Sequence, residues 1–220
     1  MILAVVSGKG GVGKSTLSFE LGAELDAVVV DADLGMANLP YAPGPDLHDV
    51  LAGRADPVEA VREDGPVTIL PCGRTLAGAR AADVRRLADT LRTVEATYGD
   101  VVVDCPAGMR ADAGVPLAVA DACLLVASPK RYALADAVRT RELARELGCG
   151  LAAVAVNRVV DEPPVDAFAD VLGAPTTAIP ADPRLGKAIE EFDPAVLGAP
   201  NSLVSSQVRE LAASVSVCRW

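Results

Sequence analysis

Aromatic residues are nearly missing from this chain. Phe, Tyr and Trp together make up 3% of 220 residues, while hydrophobic residues reach 51%. A core must therefore be built from Val, Ala and Leu, and one domain over residues 1–220 is expected to enclose it. Lysine is almost as scarce. Four lysines (Lys9, Lys14, Lys130, Lys187) stand against sixteen arginines, and 30 acidic residues against 20 basic ones leave a net charge of −10. That balance argues against nucleic-acid binding, which needs a clustered basic patch. Abundant aspartate with little surface lysine resembles proteins adapted to concentrated salt, although a high-GC genome also enriches Ala, Arg, Gly and Pro.

Other absences narrow the chemistry. The single histidine, His48, has no metal-ligating neighbours in sequence and reads as a surface or capping residue. Five cysteines (Cys72, Cys105, Cys123, Cys149, Cys218) form no C-x-x-C pair, so neither zinc nor an iron–sulfur cluster is signalled. Their scatter through apolar runs reads as reduced thiols of a cytoplasmic protein. No apolar run approaches the ~20 residues that span a bilayer, and the chain opens on an apolar run that leaves no room for a signal peptide.

What is present is concentrated near the start. The run Ile2 to Val6 leads into Ser7-Gly8-Lys9-Gly10-Gly11-Val12-Gly13-Lys14-Ser15-Thr16, in which Gly8 to Ser15 spells G-x-x-x-x-G-K-[ST]. The glycines permit backbone conformations closed to other residues, so successive N–H groups can converge on a phosphate chain. The N-terminus of the following helix adds partial positive charge at the same place. Lys14 would reach the β- and γ-phosphates and the Ser15 hydroxyl would ligate Mg²⁺. Gly8, Gly10 and Gly13 also spell the dinucleotide pattern G-x-G-x-x-G. A lysine in the first helical turn, a hydroxyl directly after it and a second lysine, Lys9, within the loop favour a nucleoside triphosphate instead.

Along the rest of the chain, apolar β-branched runs alternate with helical patterns. Leu17, Leu21 and Leu25 continue the first helix, with Ser18, Glu20 and Glu24 expected outward. Ala27 to Val30 reads as a buried parallel strand ending in Asp31-Ala32-Asp33. Asp46 caps a short helix, Leu47 to Leu51, and Asp56-Pro57 is expected to open another through Val61. Val67 to Pro71 reads as a strand and Arg80 to Tyr98 as one long amphipathic helix stopped by Gly99. Val101 to Val103 then delivers Asp104, in the position of the second acid of P-loop proteins, which supports the metal. Strands over Ala122–Ala127, Leu151–Val156 and Thr176–Ile179 alternate with helices over Tyr132–Leu147 and Leu203–Val217. The expected fold is an α/β P-loop NTPase, a mostly parallel sheet with helices on both faces.

With Ser-Gly-Lys-Gly-Gly-Val-Gly-Lys-Ser-Thr, Asp-Ala-Asp-Leu-Gly-Met-Ala-Asn-Leu (residues 31–39) and Asp-Cys-Pro-Ala-Gly (residues 104–108) in order, the chain resembles the MinD/ParA family of deviant Walker ATPases, closest to its MinD branch. The resemblance implies ATP and Mg²⁺ as ligands, hydrolysis to ADP, and an ATP-dependent face-to-face homodimer. Lys9 would cross the interface to the partner's phosphates, where its charge stabilises the transferring phosphoryl group. Gly8, Gly10, Gly11, Val12 and Gly13 would wrap the phosphates and Thr16 would contact the α-phosphate. Asp33 would orient or deprotonate the attacking water beside the metal, with Ser15 and Asp104 supporting Mg²⁺. Asp31 would assist at the metal or fix the switch loop, and Gly108 would belong to a second switch. Asn157 would bond the adenine edge, flanked by Arg158 and the loop from Pro180 to Asp182. Membrane-binding relatives end in a basic amphipathic helix. Here the last helix carries only Arg209 before Arg219 and Trp220, so little or no direct membrane binding is expected. An unidentified protein partner and a role in spatial organisation are implied. Relatives that carry metal clusters need paired cysteines, and DNA-partitioning relatives need a basic patch.

Overall fold

The computed structural model describes residues 1–35, 37–40, 43–108 and 111–217, with the side chains of 111–113 left aside. Met36, Cys218, Arg219 and Trp220, named above, lie outside the described residues. The elements run β1 (Ile2–Val6), α1 (Lys14–Leu25), β2 (Val28–Asp31), α2 (Leu47–Leu51), β3 (Ile69–Leu70), α3 (Leu76–Ala81), α4 (Leu87–Tyr98), β4 (Val101–Asp104), α5 (Ala111–Val119), β5 (Ala122–Ala127), α6 (Ala133–Glu146), β6 (Gly150–Val159), α7 (Val165–Leu172), β7 (Thr176–Pro180), α8 (Pro183–Lys187), α9 (Ala195–Gly198) and α10 (Leu203–Ser216).

The strands form one seven-stranded sheet in the order β3-β2-β4-β1-β5-β6-β7, every pair parallel. Parallel strands covered on both faces should be apolar throughout, and β1, β2, β4 and β5 are buried along their whole length. Because successive side chains alternate across a sheet, each strand feeds two cores. Ile2, Ala4 and Val6 face a layer with Leu91, Leu117 and Phe168 from α4, α5 and α7. Leu3 and Val5 face the other layer, with Leu17 and Leu21 of α1 and Val208 and Leu211 of α10. β1 lies between β4 and β5, so chain order reverses on its two sides. Such a reversal opens a crevice at the C-terminal strand edge, where α/β sheets bind ligands. The glycine loop leaves β1 at that point.

Four local expectations are corrected. Ser18 and Glu20 do not face solvent: both are fully buried. α1 is sandwiched between the sheet and the segment leading into α10, and the Glu20 carboxylate accepts the backbone N–H groups of Ala195 (2.8 Å) and Val196 (3.0 Å). Residues 56–61 form turns rather than a helix, with Asp56 accepting from Val58 N–H instead of starting a helical ladder. The long helix over 80–98 is broken, because Ala82 is extended and Asp83 caps a short 3₁₀ turn at Val84–Arg86 before α4 begins. His48 is no surface residue; it is 2% exposed.

Candidate functional site

The loop from Gly8 to Gly13 departs from the C-terminal end of β1 and delivers Lys14 at the start of α1. Gly11 and Gly13 adopt φ of 74° and 100°, the left-handed region that glycine enters without strain. At Gly13 the requirement is doubled, since a Cβ there would run into the amide of Asn157. At Gly8 a Cβ would come 2.7 Å from the Cβ of Asp136. The loop encloses a cleft of about 480 Å³ lined by Gly10, Gly11, Gly13, Lys14, Ser15 and Thr16, with Asp33, Gly35 and Asn38 opposite and Pro106, Ala107, Arg158 and Ile189 at its borders. A second cleft of about 430 Å³ shares Gly13, Thr16 and Arg158 with the first and runs on past Asn157, Val160 and Pro180–Pro183. The two form one trough of a size that suits a phosphate chain at one end and a flat ring system at the other.

Behind the phosphate end sit two carboxylates. Asp31 and Asp104 end the adjacent strands β2 and β4 and are register partners. Burial raises the pKa of both, to about 6 for Asp31 and about 8 for Asp104. For Asp104 the neighbouring Asp31 adds to the rise, and Ser15 and Lys14 pull it back in part. The oxygens of Asp31 are occupied: one accepts from Asp33 N–H (3.2 Å), the other from Asn38 N–H (2.8 Å) and Leu39 N–H (3.1 Å). Of the two roles open to Asp31, the geometry displays the fixing of the loop over residues 32–39. Neither oxygen of Asp104 receives a hydrogen bond of good geometry, although the Ser15 hydroxyl lies close enough to lower its pKa. A buried acceptor pair without such a bond behind Ser15 and Lys14 is what a hydrated divalent cation would satisfy, so the residues present fit Mg²⁺.

The remaining expected site residues separate into three groups. Lys14, Ser15, Thr16 and Asp33 line the cleft. Asn157, Arg158, Pro180 and Asp182 line the second cleft, but two of them are already engaged. The Asn157 Nδ2 donates to the carbonyl of Val12 (2.8 Å) and its Oδ1 accepts from Arg158 N–H (2.9 Å), so the side chain braces the glycine loop. The Asp182 carboxylate caps α8 and pairs with the Arg184 guanidinium at 2.8 and 2.9 Å. That pairing holds its pKa below the usual carboxylate range. Arg158 takes a left-handed φ of 63° at a bulge in β6, which sets it between the two clefts. Lys9 stands apart. Its ammonium leaves the cleft, pairs with Asp136 (3.1 Å) and sits 4.8 Å over the Tyr132 ring, with its side chain 56% exposed.

The sequence reading missed Asp136 and Tyr132 as partners of Lys9, and Ile189 as a wall of the cleft. They lie more than a hundred residues from the loop, and no local spacing marks them. Gly108, expected in a second switch, takes a left-handed φ of 86° with its N–H on the Ser7 carbonyl (3.1 Å).

Comparison with known proteins agrees with this geometry. The profile of the CobQ/CobB/MinD/ParA nucleotide binding domain matches residues 3–195. An uncharacterized ATP-binding protein of Methanocaldococcus jannaschii is 33% identical over 97% of this chain and 86% of its own length. The crystal structure of the cell division ATPase MinD of Pyrococcus furiosus superposes with a TM-score of 0.89 at 31% identity, covering 98% of each chain. The septum site-determining protein MinD of Pyrococcus horikoshii, solved with Mg-ADP, gives 0.88 at 31% identity over 97% of this chain and 94% of the other. The overall fold thus has its counterpart in those MinD structures, and the chain belongs to the CobQ/CobB/MinD/ParA family of nucleotide-binding domains.

Proposed function

We propose that this protein is a Mg²⁺-dependent ATPase whose ATP-bound form pairs face to face with a second copy, binds a protein partner, and is reset by slow hydrolysis. The observation that carries the dimer is the direction of Lys9. A lysine serving its own nucleotide would turn into the cleft, as Lys14 does. Lys9 instead lies on the rim with its side chain more than half exposed and its ammonium held by Asp136 and Tyr132. An exposed ion pair of this kind is worth about 0–1 kcal/mol, so a facing polyphosphate could draw the lysine away.

Within one copy the loop N–H groups, Lys14 and Thr16 would bind the phosphates, and the base would lie in the second cleft beside Arg158 and Pro180–Asp182. Ser15, Asp104 and Asp33 would hold Mg²⁺, which when bound neutralises charge on the β- and γ-phosphates. Asp33, opposite the loop, would orient the attacking water. The partner copy's equivalent lysine would meet the charge that develops on the transferring group. By its MinD-like relatives the switch would serve the positioning of cell components. A DNA-partitioning role is the second reading, disfavoured by a net charge of −10. Among the described residues no helix is long and apolar enough to cross a membrane.

Size-exclusion chromatography of wild type and Asp33→Ala with ATP and Mg²⁺ at high potassium chloride, with and without liposomes, tests this reading. A dimer for Asp33→Ala with ATP, absent with ADP, is expected. A monomer under every condition would overturn it.

A further inference from the structure

The structure assigns a task to His48, the one histidine of the chain, which none of the nucleotide chemistry above uses. Its ring is buried at the start of α2, a helix closed by a capping box between Asp46 and Asp49 and tied to β3's exit through Leu47 N–H on the Pro71 carbonyl (2.9 Å). His48 Nε2 lies 3.0 Å from the carbonyl oxygen of Leu34, the residue after Asp33. It also lies 3.4 Å from the Cys72 Sγ. Nδ1 is buried without a hydrogen-bond partner.

The contact with the Leu34 carbonyl favours one tautomer over the other, in which Nε2 could accept only from the weak Cys72 S–H donor. A carbonyl oxygen only accepts, so in the favoured form the nitrogen facing Leu34 carries the proton. The alternative would set a lone pair against the carbonyl and leave a buried N–H on Nδ1 with nothing to receive it. His48 is therefore a donor aimed at the backbone of the Asp33 loop. Its own freedom is small. Gly73 and Gly78 close on the ring: a Cβ at Gly78 would come 2.8 Å from Nδ1, and one at Gly73 would strike the same atom. The slot admits the flat ring because both flanking residues lack a side chain.

The loop that receives this bond carries Asp33 into the cleft. Its near end is held by Asp31 through Asp33 N–H, and its far end by Asp31 through Asn38 and Leu39 N–H and by the Arg74 Nη2 on the Leu39 carbonyl (3.3 Å). Between those anchors Leu34 turns on Ala32 (3.0 Å). The Asn38 Nδ2 reaches the Asp33 carboxylate at 3.4 Å, and His48 bonds the Leu34 carbonyl, one residue from the carboxylate that would orient water. We infer that His48 is a positioning residue for Asp33: its Nε2–H fixes the carbonyl of Leu34 and so the direction in which the Asp33 carboxylate enters the cleft. The loop lysine and the phosphate-binding N–H groups lie outside this linkage. The effect should then fall on turnover and spare nucleotide binding. This inference rests on the ATPase reading for its kinetic consequence, while its structural half stands independently.

The test uses His48→Phe, which keeps a ring in the slot but has no donor, and His48→Gln, whose amide restores a donor near the Nε2 position. Nucleotide Kd, steady-state kcat and amide hydrogen exchange of Asp33, Asn38 and Leu39 are measured for each beside wild type. For His48→Phe we expect kcat to fall about tenfold with Kd for Mg-ATP within twofold of wild type, and exchange at those three amides to accelerate at least tenfold while the β1 and β4 amides are unchanged. His48→Gln should recover most of both losses. Unchanged kcat in His48→Phe in the face of an active wild type would overturn the inference, as would a uniform rise in exchange that His48→Gln fails to reverse. If wild type binds Mg-ATP without turning it over, the ATPase reading fails, and the exchange measurement still decides the role of His48.

Discussion

Replacing Asp104 by Asn isolates the buried acid pair at the ends of β2 and β4. Both Asp104 oxygens are buried without a hydrogen bond of good geometry. A carboxyl whose pKa is higher folded than unfolded holds its proton more tightly in the fold, so its contribution to stability is complete below about pH 4 and lost as pH rises through the folded value. For Asp104 that loss ends near its raised value of about 8. At about 1.4 kcal/mol per pKa unit, the penalty on the metal-free protein near pH 8 has a ceiling of order 5 kcal/mol. Asp31 shares protons with Asp104, so we take roughly half of that as attributable to the variant. Asn keeps the shape and removes the charge, but its buried amide costs about 1 kcal/mol. The net expectation is a gain of roughly 1–2 kcal/mol at pH 8.5 and none, or a small loss, at pH 5. For a domain of this size, 1 kcal/mol moves Tm by about 2–4 °C. Thermal melts in EDTA at pH 5, 7 and 8.5 should show wild-type Tm falling across the series and the variant falling less, with the two curves crossing. Added Mg-ATP should stabilise wild type at pH 8.5 and not the variant. Parallel curves, or a variant less stable than wild type at pH 8.5, would show that the Asp104 carboxylate is ionised and satisfied in the metal-free fold, and the assignment of its oxygens to a cation would fall.

Two further outcomes follow from particular bonds. Asn157→Asp puts a carboxylate oxygen against the Val12 carbonyl, where the Asn157 amide now donates at 2.8 Å. Calorimetric titration should show nucleotide affinity reduced at least tenfold with Tm within about 3 °C of wild type, and an unchanged Kd would remove the brace from the argument. Glu20→Ala strips the acceptor from the buried N–H groups of Ala195 and Val196. The expected cost is about 2–3 kcal/mol in urea unfolding, since hydrogen bonds to charged groups are the stronger ones and their loss orphans two donors. A change under 0.5 kcal/mol would mean that the start of α9 is held by other contacts.

The local signals in this sequence were those with a strict spacing or a strict alternation. The glycine loop, the helix after it and the apolar runs ending in Asp31 and Asp104 are written in consecutive residues, because a phosphate cradle and a buried parallel strand each impose residue types one position at a time. From these alone come the sheet, its P-loop and the nucleotide class of its ligand. Where local pattern misled, a long-range contact had overridden it. Glu20 reads as an outward residue on a helix, and only the arrival of Ala195 and Val196 from 175 residues away makes it buried. His48 reads as a lone surface residue until Leu34, Cys72 and two glycines close around it. Asp136 has nothing in its surroundings to announce that it receives Lys9. Sequence by itself determined which backbone could hold a polyphosphate and which acids end beside it, since those demands are local and steric. Only the tertiary structure decided which side chains are already spent, because a hydrogen bond between distant residues leaves no periodic trace: Asn157 is committed to the loop and Asp31 to the Asp33 segment, while neither buried Asp104 oxygen receives a hydrogen bond of good geometry.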